Sequence, residues 1–171
     1  MANKSDLKRW SFVSFVVVSF YSIGAGMIES MVNYPLWHII GPSDVWRPYH
    51  LALGPKIILY LAIPALLFQL LTNILIIVYK PISLPKWTTW TSLILLIVAI
   101  VSSAVVQIPI QGRLDQGYTY ELVDRLIQTD LVLRMGVGVI RGILIIYMMN
   151  LVFKPFFRAN INFQPVSGSE I

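Results

Sequence analysis

Four stretches of the chain are almost continuously apolar, and polar residues are concentrated in the segments between them. A helix needs about 20 predominantly apolar residues to cross a hydrocarbon core of about 30 Å. The stretches that reach this length cover roughly residues 10–28, 57–79, 88–108 and 131–152. The sequence therefore predicts an all-α integral membrane bundle of four transmembrane helices, in which residues 1–171 form a single membrane domain.

The connections between the predicted spans differ in length. Residues 80–87 form a short proline-containing hairpin, whereas residues 29–56 and 109–130 form two long, aromatic and polar loops. Pro109 and Pro155 lie just beyond the third and fourth spans, where a helix can stop. Long connections in compact proteins are usually functional or disordered, and these two contain too many apolar residues for disorder. We therefore expect both long loops to contribute to function.

The second long loop is predicted to contain an amphipathic helix. Four of its apolar residues recur at helical spacing on one face: Leu122, Val123, Leu126 and Ile127. Thr119 precedes them as a candidate N-cap. This helix is expected either to cover the outer mouth of the bundle or to extend the fourth span above the membrane.

The composition excludes a water-soluble globule and several kinds of chemistry. Hydrophobic residues make up 57% of the chain and charged residues 12%, against roughly 45–50% and about 25% in soluble domains. The chain has no cysteine, which excludes disulfides, thiolate nucleophiles, iron–sulfur clusters and cysteine-based zinc sites. The net charge is +5, but the basic residues form no cluster, so nucleic acid is excluded as a partner.

The distribution of charge predicts the orientation of the chain in the membrane. The N-terminus, the 80–87 hairpin and the C-terminal tail together hold seven basic residues and two acidic ones. The two long loops and the adjoining span ends hold five basic residues and six acidic ones. Lys and Arg accumulate on the cytoplasmic side of membrane proteins. We therefore expect a multi-pass protein of the cell (inner) membrane, with both termini in the cytoplasm and both long loops outside.

Ionisable residues inside the spans are candidates for function, because charges in the membrane are costly and usually face a bundle interior or a watery cavity. Asp130, Arg134 and Arg141 lie along one stripe of the fourth span. At 1.5 Å per residue, Arg134 lies roughly 5 Å below the outer boundary and Arg141 roughly 15 Å below it. Four neutral side chains are candidate partners at the depth of Arg141: Tyr21, Gln69, Ser102 and Ser103.

These residues and the span ends can form a polar site that opens to the outer face. The candidates for catalysis are Glu29, His50, Asp130 and Arg134, and the candidates for substrate binding are Gln107, Arg141 and Gln69. Arginines stabilise negative charge that develops on oxygen, and a carboxylate or histidine exchanges protons. The structural alternative is a local pair of Asp130 and Arg134 closed by Glu29, with Arg141 bonded to backbone carbonyls or to a partner subunit.

The two histidines raise the question of a metal or haem site. His38 and His50, with Glu29 and Asp44, offer nitrogen and oxygen ligands that suit iron, copper or zinc. Both histidines lie in one loop, however, whereas a haem in a bundle takes its ligands from facing helices. No recognised metal-binding spacing is present in the sequence, so no metal is assigned and the cofactor is left open.

The layout resembles the anthrone-oxygenase-like family of small four-helix membrane proteins. The resemblance rests on the four spans and on three short segments: 33–37 (Asn-Tyr-Pro-Leu-Trp), 107–111 (Gln-Ile-Pro-Ile-Gln) and 126–134. Pro109 and Arg134 are the residues that carry over to this chain. The resemblance implies a lipophilic pocket and the oxidation of a polycyclic phenolic substrate.

These features support two hypotheses of function. The first is a site for a lipophilic carbonyl or phenolic small molecule, which an oxygenase-like enzyme would oxidise. The alternative is a non-catalytic accessory or assembly subunit, whose charged stripe docks on partner helices of a larger complex or of a homo-oligomer. A transporter is less favoured, because four spans without detectable repeats would require oligomerisation. In each case the lipid bilayer is the surrounding partner.

Overall fold

The computed structural model describes residues 3–161, which form four long antiparallel helices joined by short connections. Helix α1 covers Lys4–Ile40, α2 covers Trp46–Val78 and α3 covers Lys86–Leu114. Helix α4 begins at Tyr120 and ends with the segment Gly136–Ile161. All four are long and apolar enough to cross a membrane, and no strand occurs in the described residues. The predicted all-α four-helix bundle is confirmed.

The two ends of the bundle are distinguished by their connections. We call distal the end that holds the connections 41–45 and 115–119, and proximal the end that holds the connection 79–85. Helices α1, α2 and α3 have 37, 33 and 29 residues, so they measure about 55 Å, about 50 Å and about 44 Å. Most of the helical length beyond the roughly 30 Å of a hydrocarbon core lies at the distal end. The prediction of two long loops is therefore wrong, because most of these residues continue the helices.

The predicted amphipathic helix is confirmed over Tyr120–Asp130. Val123 and Leu126 on its apolar face are fully buried. It extends the fourth span and does not form a separate cover over the mouth of the bundle, because it is continuous with the rest of α4. Thr119 stands at the N-cap position, but its side chain makes no capping hydrogen bond.

Each helix contains one π-helical segment in its distal half. These segments are Glu29–Asn33, Ile58–Ala62, Ser103–Gln107 and Leu131–Met135. In three helices a proline follows at the second residue after the segment: Pro35, Pro64 and Pro109. Proline clashes with the carbonyl four residues earlier, and a wider turn before it lets the helix continue. Contrary to the prediction, Pro109 therefore does not end α3, and Pro155 lies inside α4.

Two apolar cores hold the bundle together, and neighbouring helices pack in the cyclic order α1, α2, α3, α4. The proximal core consists of Phe12, Phe15, Ile76, Leu84, Leu144, Ile145 and Met148. The distal core consists of Tyr34, Trp37, Trp46, Ile110, Leu114, Val123 and Leu126. Along α1, α2 and α4, most of the buried polar residues lie between the distal and the proximal core residues of the helix. The bundle therefore has a polar interior layer between two apolar ones.

The distal connections pack closely on each other at Gly41. A Cβ atom on this glycine would lie 2.0 Å from Cδ2 of Tyr118 and 2.6 Å from the carbonyl oxygen of Trp37. Both distances are far shorter than a van der Waals contact. Glycine is therefore required here by the close approach of the two connections.

Replacing Gly41 by alanine should destabilise the distal end of the bundle. Overpacking of this kind typically costs about 1–3 kcal/mol, because neighbours must shift to admit the extra carbon. The matched control is Gly117→Ala, since a Cβ at Gly117 would meet nothing within 4 Å. The free energy of unfolding in detergent, followed by tryptophan fluorescence, measures both changes. Equal stability of the two variants would contradict the close approach.

Candidate functional site

A buried carboxylate joins α1 to α4 in the distal half of the bundle. Asp130 is 0% exposed, and its Oδ1 lies 2.7 Å from Nε of Arg134. Its Oδ2 accepts a hydrogen bond from the hydroxyl of Ser30, and Nη2 of Arg134 donates to the same hydroxyl over 3.3 Å. Asp130 and Arg134 are thus more than a local pair on one helix, because Ser30 connects them to α1.

Glu29 lies beside this ion pair on α1. Its side chain is buried, and its Oε1 accepts a hydrogen bond from Nδ2 of Asn33 over 2.9 Å. It lies within electrostatic range of both Arg134 and Asp130. We call Glu29, Ser30, Asp130 and Arg134 the distal polar cluster. Two carboxylates and one arginine therefore meet in a part of the bundle that is otherwise apolar.

Arg134 forms the accessible edge of the distal polar cluster. Its side chain is 26% exposed, whereas Glu29 and Asp130 are buried. The guanidinium carbon lies 5.9 Å from the centroid of the Tyr34 ring, a cation–π contact. The Tyr34 hydroxyl in turn accepts a hydrogen bond from Nε2 of Gln111 over 3.1 Å. The positive charge is thus held by one carboxylate and one aromatic face.

Gln107 is the most unusual polar residue near this cluster. It is 2% exposed, and neither its amide nitrogen nor its amide oxygen has a hydrogen-bond partner among the described residues. It lies one helical turn from Gln111, which reaches Tyr34, and its π-helical segment packs against the distal part of α4. An unpaired buried amide costs about 1–3 kcal/mol. A buried polar group without a protein partner calls for an explanation, such as a bound molecule, an ion or a water.

The π-helical segments position most of this site. Glu29 and Ser30 begin the segment in α1, Gln107 ends the one in α3, and Arg134 lies in the one in α4. A π-helical segment widens the turn and changes the face on which the following side chains lie, and such segments are frequent at functional sites. Sequence periodicity assumes a constant 3.6 residues per turn. It could therefore predict the depth of these residues in the bundle, but not the face of the helix on which each lies.

Arg141 belongs to a second polar cluster deeper in the bundle. Its guanidinium is 3% exposed and donates to one side chain from each of the other helices. Nη2 donates to Ser19 of α1 over 3.1 Å, Nη1 to Oε1 of Gln69 of α2, and Nε to Ser92 of α3 over 3.2 Å. The guanidinium carbon also lies 5.9 Å from the Phe15 ring centroid. We call Ser19, Gln69, Ser92 and Arg141 the Arg141 cluster.

The partners of Arg141 differ from those expected, except for Gln69. Tyr21 is 55% exposed on the bundle surface, and Ser102 donates to the carbonyl of Ala99 in its own helix. Ser19 and Ser92 take their places and were missed. A signal for Ser19 exists in the sequence, because Ser11, Ser19 and Ser30 recur at helical spacing on one buried face of α1. Small polar residues at such spacing indicate where a buried charge is held.

The structure does not bring His50 into the distal polar cluster. His50 is buried in the distal core, stacked on Trp46 at 4.7 Å between ring centroids, and its Nδ1 lies 2.8 Å from Oδ1 of Asp115. It contacts the edge of Trp37, which separates it from Tyr34. The pair with Asp115 joins the start of α2 to the end of α3. His50 therefore has a structural partner of its own.

His38 holds the other side of the distal end in the same way. Its Nε2 lies 3.1 Å from Oδ1 of Asp124 and its Nδ1 lies 3.1 Å from the hydroxyl of Tyr118. Burial, followed by the nearby Tyr120, Asp124 and Glu121, raises the pKa of Tyr118 above its ordinary value. Within residues 3–155, no three His, Asp or Glu side chains come together as a group that could hold a metal ion.

Two shallow apolar grooves are open on the bundle surface. The first has a volume of about 340 Å³ and is lined by Phe20, Tyr21, Gly24, Ala25, Ile28 and Leu61. The second, of about 380 Å³, lies along α3 between Ile97 and Val106. Neither is lined by a residue of the distal polar cluster or of the Arg141 cluster. The first groove ends at Ile28, the residue that directly precedes Glu29.

Comparison of the chain with protein-family models, with curated proteins and with solved structures finds no match. The resemblance to the anthrone-oxygenase-like family therefore stays a prediction from the sequence, and the site has to be interpreted from its own geometry.

Removing the Ser92 hydroxyl should weaken the bundle, because it accepts from Arg141 and donates to Oδ1 of Asn73 over 3.1 Å. Interhelical hydrogen bonds in membranes contribute about 1 kcal/mol each, so we expect Ser92→Ala to cost about 1–2 kcal/mol. Ser102→Ala is the matched control, since that hydroxyl bonds only within its own helix, and it should cost less than about 0.5 kcal/mol. Reversible unfolding in mixed micelles measures both; an equal loss would contradict the assignment of Ser92.

Proposed function

We propose that this protein binds a lipophilic small molecule that carries a carbonyl or phenol oxygen, at Gln107 and the distal polar cluster. The observation that carries the proposal is the buried, unpaired amide of Gln107. A bound carbonyl would accept from its nitrogen, and a bound phenol would donate to its oxygen. Either ligand would remove the cost of leaving the amide unpaired.

The surroundings of Gln107 favour a ligand with one polar head and an apolar body. The distal core next to it is rich in aromatic residues, and Arg134 supplies one partly exposed positive charge. The first surface groove runs along α1 at the depth of the hydrocarbon and ends beside Glu29. We propose that a lipophile approaches along this groove from the bilayer.

An oxygenase-like activity is the extension of this proposal that the family resemblance suggests. Arg134 would stabilise the negative charge of a phenolate, and Glu29 or Asp130 would take the phenol proton. The ion pair of Asp130 with Arg134, and Glu29 within electrostatic range of Arg134, support this version of the proposal. Arg141 and Gln69 have no part in this version, because they are bonded to each other within the Arg141 cluster.

The accessory-subunit alternative loses the feature on which it was based. The charged stripe of α4 was expected to dock on partner helices, but Asp130 and Arg141 are buried against the chain's own α1, α2 and α3. A partner protein would have to use another surface. The small-molecule proposal is therefore favoured.

The variant Gln107→Leu separates ligand binding from stability. Without a ligand it should be as stable as the wild type or more stable, because an apolar side chain of similar size replaces an unpaired amide. Protein purified in mild detergent should carry an enriched lipophilic carbonyl or phenol, found by absorbance and by mass spectrometry of the lipid extract. We expect the variant to carry at least tenfold less of it.

Added probes test the same site directly. Naphthol and naphthoquinone should raise the Tm of the wild type, whereas naphthalene, which has no oxygen, should not. Gln107→Leu should lose this response, and Ala104→Leu, on an exposed face of α3, should keep it. If wild type and Gln107→Leu respond alike, or if the purified protein holds no enriched lipophile and neither probe acts, the proposal is wrong.

We further propose that the distal end faces outward in a cell membrane and the proximal end faces the cytoplasm, as the charge distribution predicts. The chain contains no cysteine, so single introduced thiols report accessibility without background. In intact cells, a membrane-impermeant maleimide should label Ser43→Cys at the distal end and leave Ser83→Cys at the proximal end unlabelled until the membrane is opened. Both positions are exposed. The opposite labelling pattern would reverse the orientation.

A further inference from the structure

We propose that a small monovalent anion, of which chloride is the simplest, binds inside the bundle between Arg141 and Ser22. The stretch of the α1–α4 interface that would hold it is bounded by contacts on both sides. Ser30 meets Asp130 at its distal limit, and Ser19 meets Arg141 at its proximal limit. Ser22 lies between the two serines on α1. This proposal does not depend on the proposed function.

The first observation is the charge of Arg141. A guanidinium stays protonated in proteins, and a buried charge is normally paired with an opposite one. All the hydrogen-bond acceptors that the structure gives Arg141 are neutral: the side chains of Ser19, Gln69 and Ser92. The nearest carboxylate on α4, that of Asp130, is paired with Arg134 in the distal polar cluster. The Arg141 cluster therefore holds a positive charge without a counterion among the described residues.

The second observation is an excess of hydrogen-bond donors at this place. A guanidinium has five N–H groups, and three of those of Arg141 are used by its side-chain partners. The hydroxyl oxygen of Ser22 is buried and has no partner among the described residues. Ser22 lies one helical turn from Ser19, which already receives Nη2 of Arg141. An anion accepts from several donors at once, whereas a water molecule must also place two hydrogens of its own.

The third observation is space. Gly138 lies on α4 between Arg134 and Arg141, and a Cβ atom there would meet nothing within 4 Å. The next glycine on that face, Gly142, faces α1, since its Cβ would lie 3.7 Å from Cδ1 of Ile23. Gly138 lies one helical turn distal to Gly142 on α4, and its missing side chain leaves open space on that face. A side chain at this position would fill it.

The test compares the protein in chloride, in bromide and in gluconate at equal ionic strength. Gluconate is a much larger anion than chloride or bromide and serves as the non-binding reference. A ligand that binds only the folded state raises its stability by mass action, so chloride and bromide should raise Tm over gluconate by about 3 °C. Ser22→Ala, which removes one donor, should lose most of this difference. Gly138→Leu, which fills the space, should lose all of it.

Ser102→Ala is the matched control, because it removes a buried hydroxyl that bonds within its own helix, and it should keep the full chloride response. Crystals grown in bromide should show an anomalous peak within hydrogen-bonding distance of Arg141 and Ser22. Equal Tm values in the three salts, with no anomalous peak at Arg141, would mean that only water occupies the space, and the proposal would be wrong. A chloride response that Ser22→Ala and Gly138→Leu both retain would also overturn it.

Discussion

The guanidinium of Arg141 donates to α1, α2 and α3 from within α4, and this set of contacts fixes how the four helices face each other. In a membrane, apolar side chains do little to fix which face of a helix turns toward its neighbours, because lipid tails are as apolar as leucine. A charge at that depth must turn inward, and it must find acceptors on the neighbouring helices. Ser19, Gln69 and Ser92 supply them, and Asn73 extends the same set through Ser92. Rotation of any one helix would remove an acceptor from a charged group.

The inward-facing charge also accounts for the layered interior. Apolar cores lie proximal and distal to the polar layer, and each supplies an aromatic ring to an arginine: Phe15 to Arg141 and Tyr34 to Arg134. The distal core is closed by two histidine–aspartate pairs, His38 with Asp124 and His50 with Asp115. These pairs join helix ends beyond the apolar spans, and the aspartate of each pair is partly exposed. The two pairs connect the helices at the distal end, and the buried polar groups connect them within the membrane-spanning part.

The helix count, the approximate spans and the depth of the ionisable residues could be predicted from sequence, because they depend on composition and on a fixed rise per residue. The stripe of Asp130, Arg134 and Arg141 follows from spacing on one helix. Spacing along one helix does not give the rotation of that helix against its neighbours. Residues at the depth of Arg141 could therefore be selected but not distinguished, so Gln69 was predicted correctly as its partner and Ser102 wrongly. Pro109 misled for a related reason. It follows a π-helical segment, as Pro35 and Pro64 do, and α3 continues past it to Leu114.

The contrast between Arg141 and Gln107 separates structural from functional polarity in this bundle. Both are buried in the membrane-spanning part, and both were predicted from the sequence as candidates for substrate binding. Arg141 has a partner for each of its three nitrogens, so changing any of them would remove a contact that stabilises the fold. Gln107 has a partner for neither amide atom among the described residues, so the fold gains nothing from its polarity. A leucine would serve the packing as well at lower cost, and this difference from Arg141 is the basis of the ligand contact proposed for Gln107.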